Sequence, residues 1–86
     1  MESKYATPRQ VFLYSRPGCH LCDDAAELLE RLALRIPIAI VEVNILNDID
    51  LYERYKHSIP VVVLADGPTF VAPIRADELE RLLVES

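Results

Sequence analysis

The spacing of apolar residues changes several times along the chain, and each change predicts a new element. Residues 11–14 form a short apolar and aromatic run that leads into the turn sequence 15–18, which is typical of a buried strand. From Cys19 to before Pro37, apolar residues recur at helical spacing with charged residues on the other side, which predicts an amphipathic helix. We expect one stripe of this helix to face the core: Leu21, Ala25, Leu28, Leu29 and Leu32.

A second strand is predicted after this helix. Pro37 ends the helix, and the mostly β-branched run 38–43 follows. Strand, helix and strand form a βαβ unit, in which the strands are expected to be parallel with a right-handed crossover. This arrangement places the loop after the first strand, where Cys19 lies, at the carboxyl edge of the sheet.

The next segment predicts a short helix and a hairpin. Asn47 or Asp48 can cap a helix that runs to about Tyr55. Residues 61–65 and 69–72 predict two antiparallel strands around a turn signal of Asp, Gly and Pro.

A closing helix completes the predicted fold. Asp77, with Glu80 three residues later, fits a capping box ahead of the last apolar stripe. The prediction is an α/β fold in the order βαβ, α, ββα, with helices flanking one sheet.

Composition narrows the classes of function. With 86 residues and only two glycines, we expect a single domain over 1–86, with residues 1–9 flexible. The net charge of −5 argues against nucleic acid or an anionic membrane as a partner. No stretch resembles a signal peptide or a membrane span, and two cysteines are too few for a secreted disulfide framework. We therefore expect a cytoplasmic protein.

The motif Cys19-His20-Leu21-Cys22 carries the most specific chemistry. At the start of a helix, two cysteines with this spacing can form a disulfide while one sulfur faces solvent. Free N–H groups and the helix dipole lower the pKa of a thiol at a helix N-terminus, which favours Cys19 as the nucleophile. Cys22 is then the resolving thiol, which attacks the mixed disulfide formed at Cys19.

Two other interpretations of the motif stay open. A Cys-x-x-Cys pair is also half of a zinc site, for which His20 and His57 are possible further ligands, or part of an iron–sulfur site. His20 lies awkwardly between the cysteines for closing a tetrahedron on the same ion, so no metal ligand is assigned. The cysteines can also be inert core residues of a non-catalytic interaction module.

The residues together resemble a known family. The strand 11–15, the loop Arg16-Pro17-Gly18, the Cys-x-x-Cys helix and the segment 58–61 before a hairpin are similar to those of glutaredoxins and the wider thioredoxin superfamily. The sequence Cys-His-Leu-Cys-Asp is most similar to a poorly characterised glutaredoxin-like branch. The resemblance implies a thioredoxin fold with a four-stranded mixed sheet of order 2-1-3-4, and a dithiol disulfide oxidoreductase activity.

The resemblance also implies a substrate site. It places a cis Ile59–Pro60 bond opposite the cysteine pair, with the backbone of Ile59 available to an extended substrate. Arg16 stands where many glutaredoxins have a lysine that contacts a glutathione carboxylate, although a solvated loop arginine is equally consistent with the sequence. His20 replaces a proline that most dithiol glutaredoxins carry. As an imidazolium it would stabilise a thiolate on Cys19, while the acidic residues that follow oppose this effect.

The chain departs from the glutaredoxin pattern before its last helix. Glutaredoxins have a glycine pair there that grips glutathione, but residues 71–77 contain no glycine. Asp77 alone matches the family motif, and Arg75 is a possible substitute contact. We expect disulfide-containing proteins or glutathione as partners, glutathione as a weakly held co-substrate, no resident cofactor, and a monomer.

Overall fold

The computed structural model describes residues 8–65 and 67–85, with the side chain of residue 85 excepted. Four strands and three α-helices follow one another along the chain, with a 3-10 helix at Ile45–Asn47. The elements are β1 (Arg9–Ser15), α1 (His20–Ala33), β2 (Ile38–Asn44), α2 (Ile49–Tyr55), β3 (Val61–Leu64), β4 (Thr69–Val71) and α3 (Ala76–Glu85). Among the residues so described, no helix has the length and apolar character needed to cross a membrane.

The four strands form one mixed sheet in the order β2-β1-β3-β4, which confirms the predicted topology. β1 is parallel to β2, and β3 is antiparallel to both β1 and β4. Tyr14 lies opposite Val61 at the end of this pairing, and Ser15 and Pro60 are the next residues along the two segments. The loop that carries the cysteines and the loop that carries Pro60 therefore start from the same edge of the sheet.

The main core lies between one face of the sheet and the helices α1 and α3. Alternate residues of β1 and β3 point to this face, as the period of two in a strand requires. The two helices contribute apolar stripes at helical spacing. The buried cluster consists of Val11, Leu13, Ala25, Leu29, Leu32, Val62, Leu64, Leu79 and Leu83.

Helix α2 covers the opposite face. The rings of Tyr14 on β1 and Tyr55 on α2 stack with their centroids 5.1 Å apart. Val61 and Ile45 are fully buried outside the main cluster. A sheet covered on both faces fixes the positions of its edge loops from two sides.

Several element boundaries differ from the prediction. β1 begins at Arg9 rather than at residue 11, and the Arg9 N–H donates to the Pro37 carbonyl at 3.1 Å. Arg9 therefore belongs to the sheet instead of the flexible segment predicted for 1–9, and residues 1–7 of that segment lie outside the described residues. Asp48 caps α2 by accepting from the N–H groups of Asp50 and Leu51, one of the two predicted caps. The 3-10 helix before it was not predicted.

The predicted inward position of Leu21 is wrong. Its side chain is 59% exposed, and the buried stripe of α1 begins at Cys22 and continues through Ala25, Leu29 and Leu32. Leu21 lies one position off this stripe because α1 starts at His20 with Cys22 turned toward the sheet. The side chain that was expected in the core instead lies beside the cysteine pair.

The predicted capping box of the last helix is also wrong. The Leu79 N–H donates to the Arg75 carbonyl, so helical hydrogen bonding begins before Asp77, and α3 starts at Ala76. Glu80 does not reach back to the cap, because its carboxylate accepts from Arg35 at 2.8 Å. This contact raises the pKa of Arg35 through a hydrogen bond and charge attraction. Glu80 thus links α3 to the segment after α1.

Candidate functional site

A sharp turn joins β1 to α1. Arg16 and Pro17 are exposed after the last residue of β1, and Gly18 has a φ of +81°. This left-handed backbone conformation is costly for residues with a Cβ and is routine for glycine. Gly18 thereby lets the chain reverse at once, so that Cys19 directly precedes the first residue of the helix.

Cys19 and Cys22 are joined by a disulfide, with their Cα atoms 5.2 Å apart. Cys19 is the N-cap of α1, and its sulfur accepts the backbone N–H of Cys22 at 3.1 Å. Cys19 is partly exposed, whereas Cys22 is only 2% exposed and belongs to the buried stripe. The two sulfurs therefore differ in access and in their position relative to the helix dipole.

A metal centre would need more ligands than the cysteine pair supplies. Within residues 8–65 and 67–85, no group of three or more His, Cys, Asp or Glu side chains converges in a way that could hold a metal ion. His20 and His57, the possible ligands considered from the sequence, are both exposed. Among the described residues, the cysteine pair is therefore without a third His, Cys, Asp or Glu ligand beside it.

Ser15 and Glu42 form a polar pair near the cysteine loop that the sequence did not predict. Ser15 is 4% exposed at the end of β1, and its hydroxyl donates to the Glu42 carboxylate of β2 at 3.0 Å. Ser15 and Leu13 share a face of the sheet, the face on which α1 packs. The two partners are 27 residues apart, and only the parallel pairing of β1 with β2 brings them together.

The loop around Pro60 lies next to the cysteine loop. The Ile59–Pro60 peptide bond is cis, the isomer that the family resemblance implied, and Pro60 is buried. The N–H of Ile59 donates to the Tyr55 carbonyl at 3.1 Å, so this donor is already used within the chain. Only the carbonyl side of Ile59 is then left for the backbone pairing that the sequence suggested.

The segment after β4 lies against the same region. Its Ala72–Pro73 bond is also cis, and the Ala72 N–H donates to the Ser58 carbonyl at 3.4 Å. This hydrogen bond lies just beyond the β3–β4 pairing, which ends at Val61 and Val71. The loops before β3 and after β4 therefore form one continuous wall beside the start of α1.

A cavity of about 290 Å³ opens between this wall and α1. Pro60 and the segment 72–74 line it on one side, and Leu21, Ala25 and Leu28 line it on the helix side. Two charged residues, Asp24 and Arg31, also border it. Leu21, which lines the cavity, lies between the two cysteines in the sequence, so the cavity borders the segment that carries the disulfide.

The other residues predicted to bind substrate are on the surface around this site. Arg16 and His20 are exposed on either side of the Pro17-Gly18 turn and Cys19. Arg75 and Asp77 are exposed at the start of α3, where Asp77 accepts the N–H of Glu78 at 2.9 Å. None of these four side chains lines the cavity, whereas Ala76 between Arg75 and Asp77 does.

Comparison with known proteins identifies the family. Residues 10–84 match the family model described as a glutaredoxin-like domain (DUF836). The chain belongs to the glutaredoxin-like domain family. The match extends from β1 into α3, so the resemblance inferred from the cysteine motif is confirmed over nearly the whole domain.

Solved structures agree with this assignment. The crystal structure of target protein XcR50 from X. campestris shares 32% identity over 88% of this chain and 97% of its own, with a TM-score of 0.74. Protein Ne2328 from Nitrosomonas europaea shares 24% identity over 91% of this chain and 94% of its own, with a TM-score of 0.76. A mutant thioredoxin from Halobacterium salinarum shares 20% identity over 92% of this chain and 74% of its own, with a TM-score of 0.73. The glutaredoxin-like domain thus has a thioredoxin fold.

Proposed function

We propose that this glutaredoxin-like protein is a thiol–disulfide oxidoreductase in which Cys19 attacks and Cys22 resolves. The observation that carries the proposal is the asymmetry of the pair. Cys19 caps α1, accepts a backbone N–H and is partly exposed, while Cys22 is buried one turn further on. A thiolate at a helix N-terminus is stabilised by the N–H groups and the dipole, so the accessible cysteine is also the more acidic one.

The reaction is a sequence of two exchanges. In the reduced protein, the Cys19 thiolate attacks one sulfur of a substrate disulfide, forms a mixed disulfide and releases the other substrate sulfur as a thiolate. The Cys22 thiol then loses its proton to solvent and attacks the Cys19 sulfur. This step forms the Cys19–Cys22 disulfide and releases the second substrate thiolate, which takes up a proton. Two electrons pass from the cysteine pair to the substrate.

The disulfide form must be reduced again for turnover. A thiol such as glutathione, or the dithiol of a partner protein, supplies the two electrons and is itself oxidised to a disulfide. Arg16 is three residues before Cys19 in the sequence, and its positive charge favours a thiolate at Cys19 and an anionic thiol reductant. We place this cycle in the cytoplasm, where reducing thiols are abundant.

Backbone groups around Pro60 hold the substrate in this scheme. Pro60 has no N–H and directly follows Ile59, whose own N–H is bonded to Tyr55. The Ile59 carbonyl is therefore the group that pairs with the N–H of an extended substrate backbone. Backbone pairing does not depend on the substrate side chains. It therefore orients the substrate disulfide but does not distinguish one substrate sequence from another.

Variants of the two cysteines test the proposal. With a small disulfide-bonded peptide as substrate and glutathione as reductant, the wild-type protein is expected to accelerate reduction, and Cys19→Ser is expected to abolish this activity. Cys22→Ser retains the attacking thiol, so it is expected to accumulate a mixed disulfide with the peptide that mass spectrometry detects. Activity that survives in Cys19→Ser, or a wild-type cysteine pair that exchanges with neither glutathione nor a dithiol reductant, would show that the pair is not the redox centre.

A further inference from the structure

Ser15 is a buried polar residue at the end of β1, next to the cysteine loop. Of the polar side chains that the structure describes, it is the one that is buried, with 4% of its surface exposed. Its hydroxyl donates to the Glu42 carboxylate at 3.0 Å, and within the described residues this carboxylate is its one hydrogen-bond partner. A hydroxyl has one hydrogen and two lone pairs, so the lone pairs of Ser15 remain available to a donor.

Ser15 and Cys22 occupy the same end of the layer between the sheet and α1. Ser15 is on the face of β1 that also carries Val11 and Leu13, which pack with the apolar stripe of α1. Cys22 is the first buried residue of that helix. The turn at Gly18 reverses the chain, so the end of β1 meets the start of α1. The Ser15 hydroxyl is therefore the polar group that β1 presents at the level of Cys22.

Glu42 orients this hydroxyl from the neighbouring strand. In the parallel pairing of β1 with β2, Leu13 lies opposite Glu42. Opposite residues of paired strands point to the same face of a sheet, which is here the face of Leu13 and Ser15. An ionised carboxylate only accepts hydrogen bonds, so the hydrogen of the Ser15 hydroxyl points to Glu42 and its lone pairs point away from Glu42. Glu42 is exposed, so water solvates its charge while the hydroxyl stays buried.

Reduction of the disulfide creates a hydrogen-bond donor in this buried layer. Two electrons and one proton break the S–S bond and leave a thiolate at Cys19 and a thiol at Cys22. We infer that the Ser15 hydroxyl accepts the hydrogen of the Cys22 thiol in the reduced protein, and that Glu42 orients the hydroxyl for this contact. The inference rests on the proposed function and assigns the group that binds its resolving thiol between turnovers.

This contact stabilises the reduced form and keeps the proton on Cys22. A buried thiol without an acceptor leaves a polar hydrogen unsatisfied, whereas a disulfide has no such hydrogen. The negative charge of Glu42, behind the Ser15 hydroxyl, also disfavours a thiolate at Cys22. The reduced pair then has its thiolate on the accessible Cys19. Glu42 acts through Ser15 and is a positioning residue.

The S–H stretching band of Cys22 tests the contact directly. The chain has two cysteines, so Cys19→Ser leaves Cys22 as the only thiol, and serine is itself a favourable N-cap for α1. Adding Ser15→Ala to Cys19→Ser is expected to raise the infrared frequency of this band, because a hydrogen bond weakens the S–H bond. An identical band with and without the hydroxyl would overturn the inference. The measurement needs no turnover, so its result is independent of the proposed function.

Glu42→Ala and Glu30→Ala test the orienting role in the same Cys19→Ser background. Glu30 is an exposed acid two turns beyond Cys22 on α1, so Glu30→Ala removes the same charge and the same atoms elsewhere. Glu42→Ala is expected to broaden the band and move it toward the frequency found with Ser15→Ala, since the freed hydroxyl hydrogen then competes for the sulfur. Glu30→Ala is expected to leave the band unchanged. An unchanged band in Glu42→Ala, or equal changes in both variants, would contradict the role of Glu42.

The redox equilibrium of the cysteine pair measures the consequence of the contact. With both cysteines present, glutathione buffers of varied ratio give the equilibrium constant between the reduced and disulfide forms. Ser15→Ala is expected to shift this constant roughly two- to tenfold toward the disulfide, because it removes a hydrogen bond that only the reduced form makes. Ser15→Thr keeps the hydroxyl and is expected to shift the constant by less than about twofold.

Two outcomes of this titration would overturn the inference: a folded Ser15→Ala variant with an unchanged constant or a shift toward the reduced form, and a Ser15→Thr variant with the same shift as Ser15→Ala. A wild-type pair that exchanges with neither glutathione nor a dithiol reductant would instead contradict the proposed function. In that case the S–H band still decides whether Ser15 binds the Cys22 thiol.

Discussion

Cys19 and Cys22 are three residues apart in the sequence and lie in different environments. Cys22 is nearly inaccessible in the buried stripe of α1, and Cys19 is partly open to solvent. Access and helix position therefore favour the same sulfur as the nucleophile. In the proposed reaction, this arrangement directs incoming disulfides to Cys19 and keeps Cys22 for the internal step.

Alkylation rates provide a direct check of this difference. In the reduced protein at neutral pH, Cys19 is expected to react with iodoacetamide at least tenfold faster than Cys22, because its thiolate is stabilised and accessible. Quenched samples analysed by peptide mass spectrometry give the two rates. Comparable rates for Cys19 and Cys22 would contradict the assignment of roles.

Core residues of the same helix set the stability of the site. Leu29 is fully buried, whereas Leu34, which ends α1, is 85% exposed. Leu29→Ala is expected to lower the free energy of unfolding by ~2–5 kcal/mol, since it removes buried methylene groups and leaves a cavity. Leu34→Ala is the matched control and is expected to change it by less than ~0.5 kcal/mol. Urea denaturation of the disulfide form measures both, and equal effects would contradict the described packing.

The segment 72–76 determines how glutathione meets this domain. Glutaredoxins have a glycine pair here, whereas in this chain Ala72, Pro73, Ile74 and Ala76 line the cavity and Arg75 does not. Each charge-assisted hydrogen bond that is lost costs ~1.5–3 kcal/mol, so we expect glutathione to bind roughly ten- to a hundredfold more weakly than it binds a standard dithiol glutaredoxin.

Titration of Cys22→Ser with glutathione tests this expectation, and Arg16→Ala and Arg75→Ala identify the contacts. Removal of Arg16 is expected to weaken binding further, because its charge is close to Cys19 in the sequence, while removal of Arg75 is expected to have little effect. Binding as tight as that of a standard glutaredoxin, and dependent on Arg75, would show that a bidentate guanidinium contact replaces the missing glycine loop.

The elements themselves were largely predictable, because strands and helices in this chain have clear apolar periods. The errors occur where tertiary contacts compete with a local signal. Glu80 fits a capping box in the sequence, yet its carboxylate pairs with Arg35, which is 45 residues away. Leu21 fits a helical stripe, yet the helix rotates to bury Cys22. No local sequence pattern shows that Glu80 pairs with Arg35, or that Cys22 is buried in place of Leu21.

The site was predictable where its chemistry is local and hidden where it depends on strand pairing. The cysteine motif and the turn at Gly18 are continuous in the sequence. The Ser15–Glu42 pair depends on the register of β1 and β2, and the cavity depends on how α1 meets the segment after β4. The sequence contains the residues that make such contacts, but it does not show which of them come together in the fold.

At the scale of the whole molecule, the sheet order determines where the site is. β1 lies between β2 and β3, and its carboxyl end is opposite the amino end of β3. The cysteine loop and the Pro60 loop are therefore adjacent by register alone. Cys19 is partly exposed at this edge, which gives a partner molecule access to the disulfide.

Because the net charge is −5, the protein attracts cationic substrates and repels anionic ones at long range. A cationic disulfide peptide is expected to be reduced more slowly as salt rises from about 0.01 M to about 1 M, because the Debye length falls from ~30 Å to ~3 Å. An anionic disulfide such as oxidised glutathione is expected to show the opposite trend. Stopped-flow measurement of both rates checks the sign, and an identical salt response would indicate that local contacts outweigh the overall field.

The N-cap of α1 is formed by the sulfur of Cys19, the proposed nucleophile. Since Cys19 accepts the N–H of Cys22, each covalent change at Cys19 alters a bond that secures the first turn of the helix. The amide proton of Cys22 is therefore expected to respond to the covalent state of the Cys19 sulfur. We expect this proton to exchange with D₂O faster after Cys19 is alkylated, while amides in the middle of α1 remain protected. NMR detection of that single signal would follow turnover without any added label.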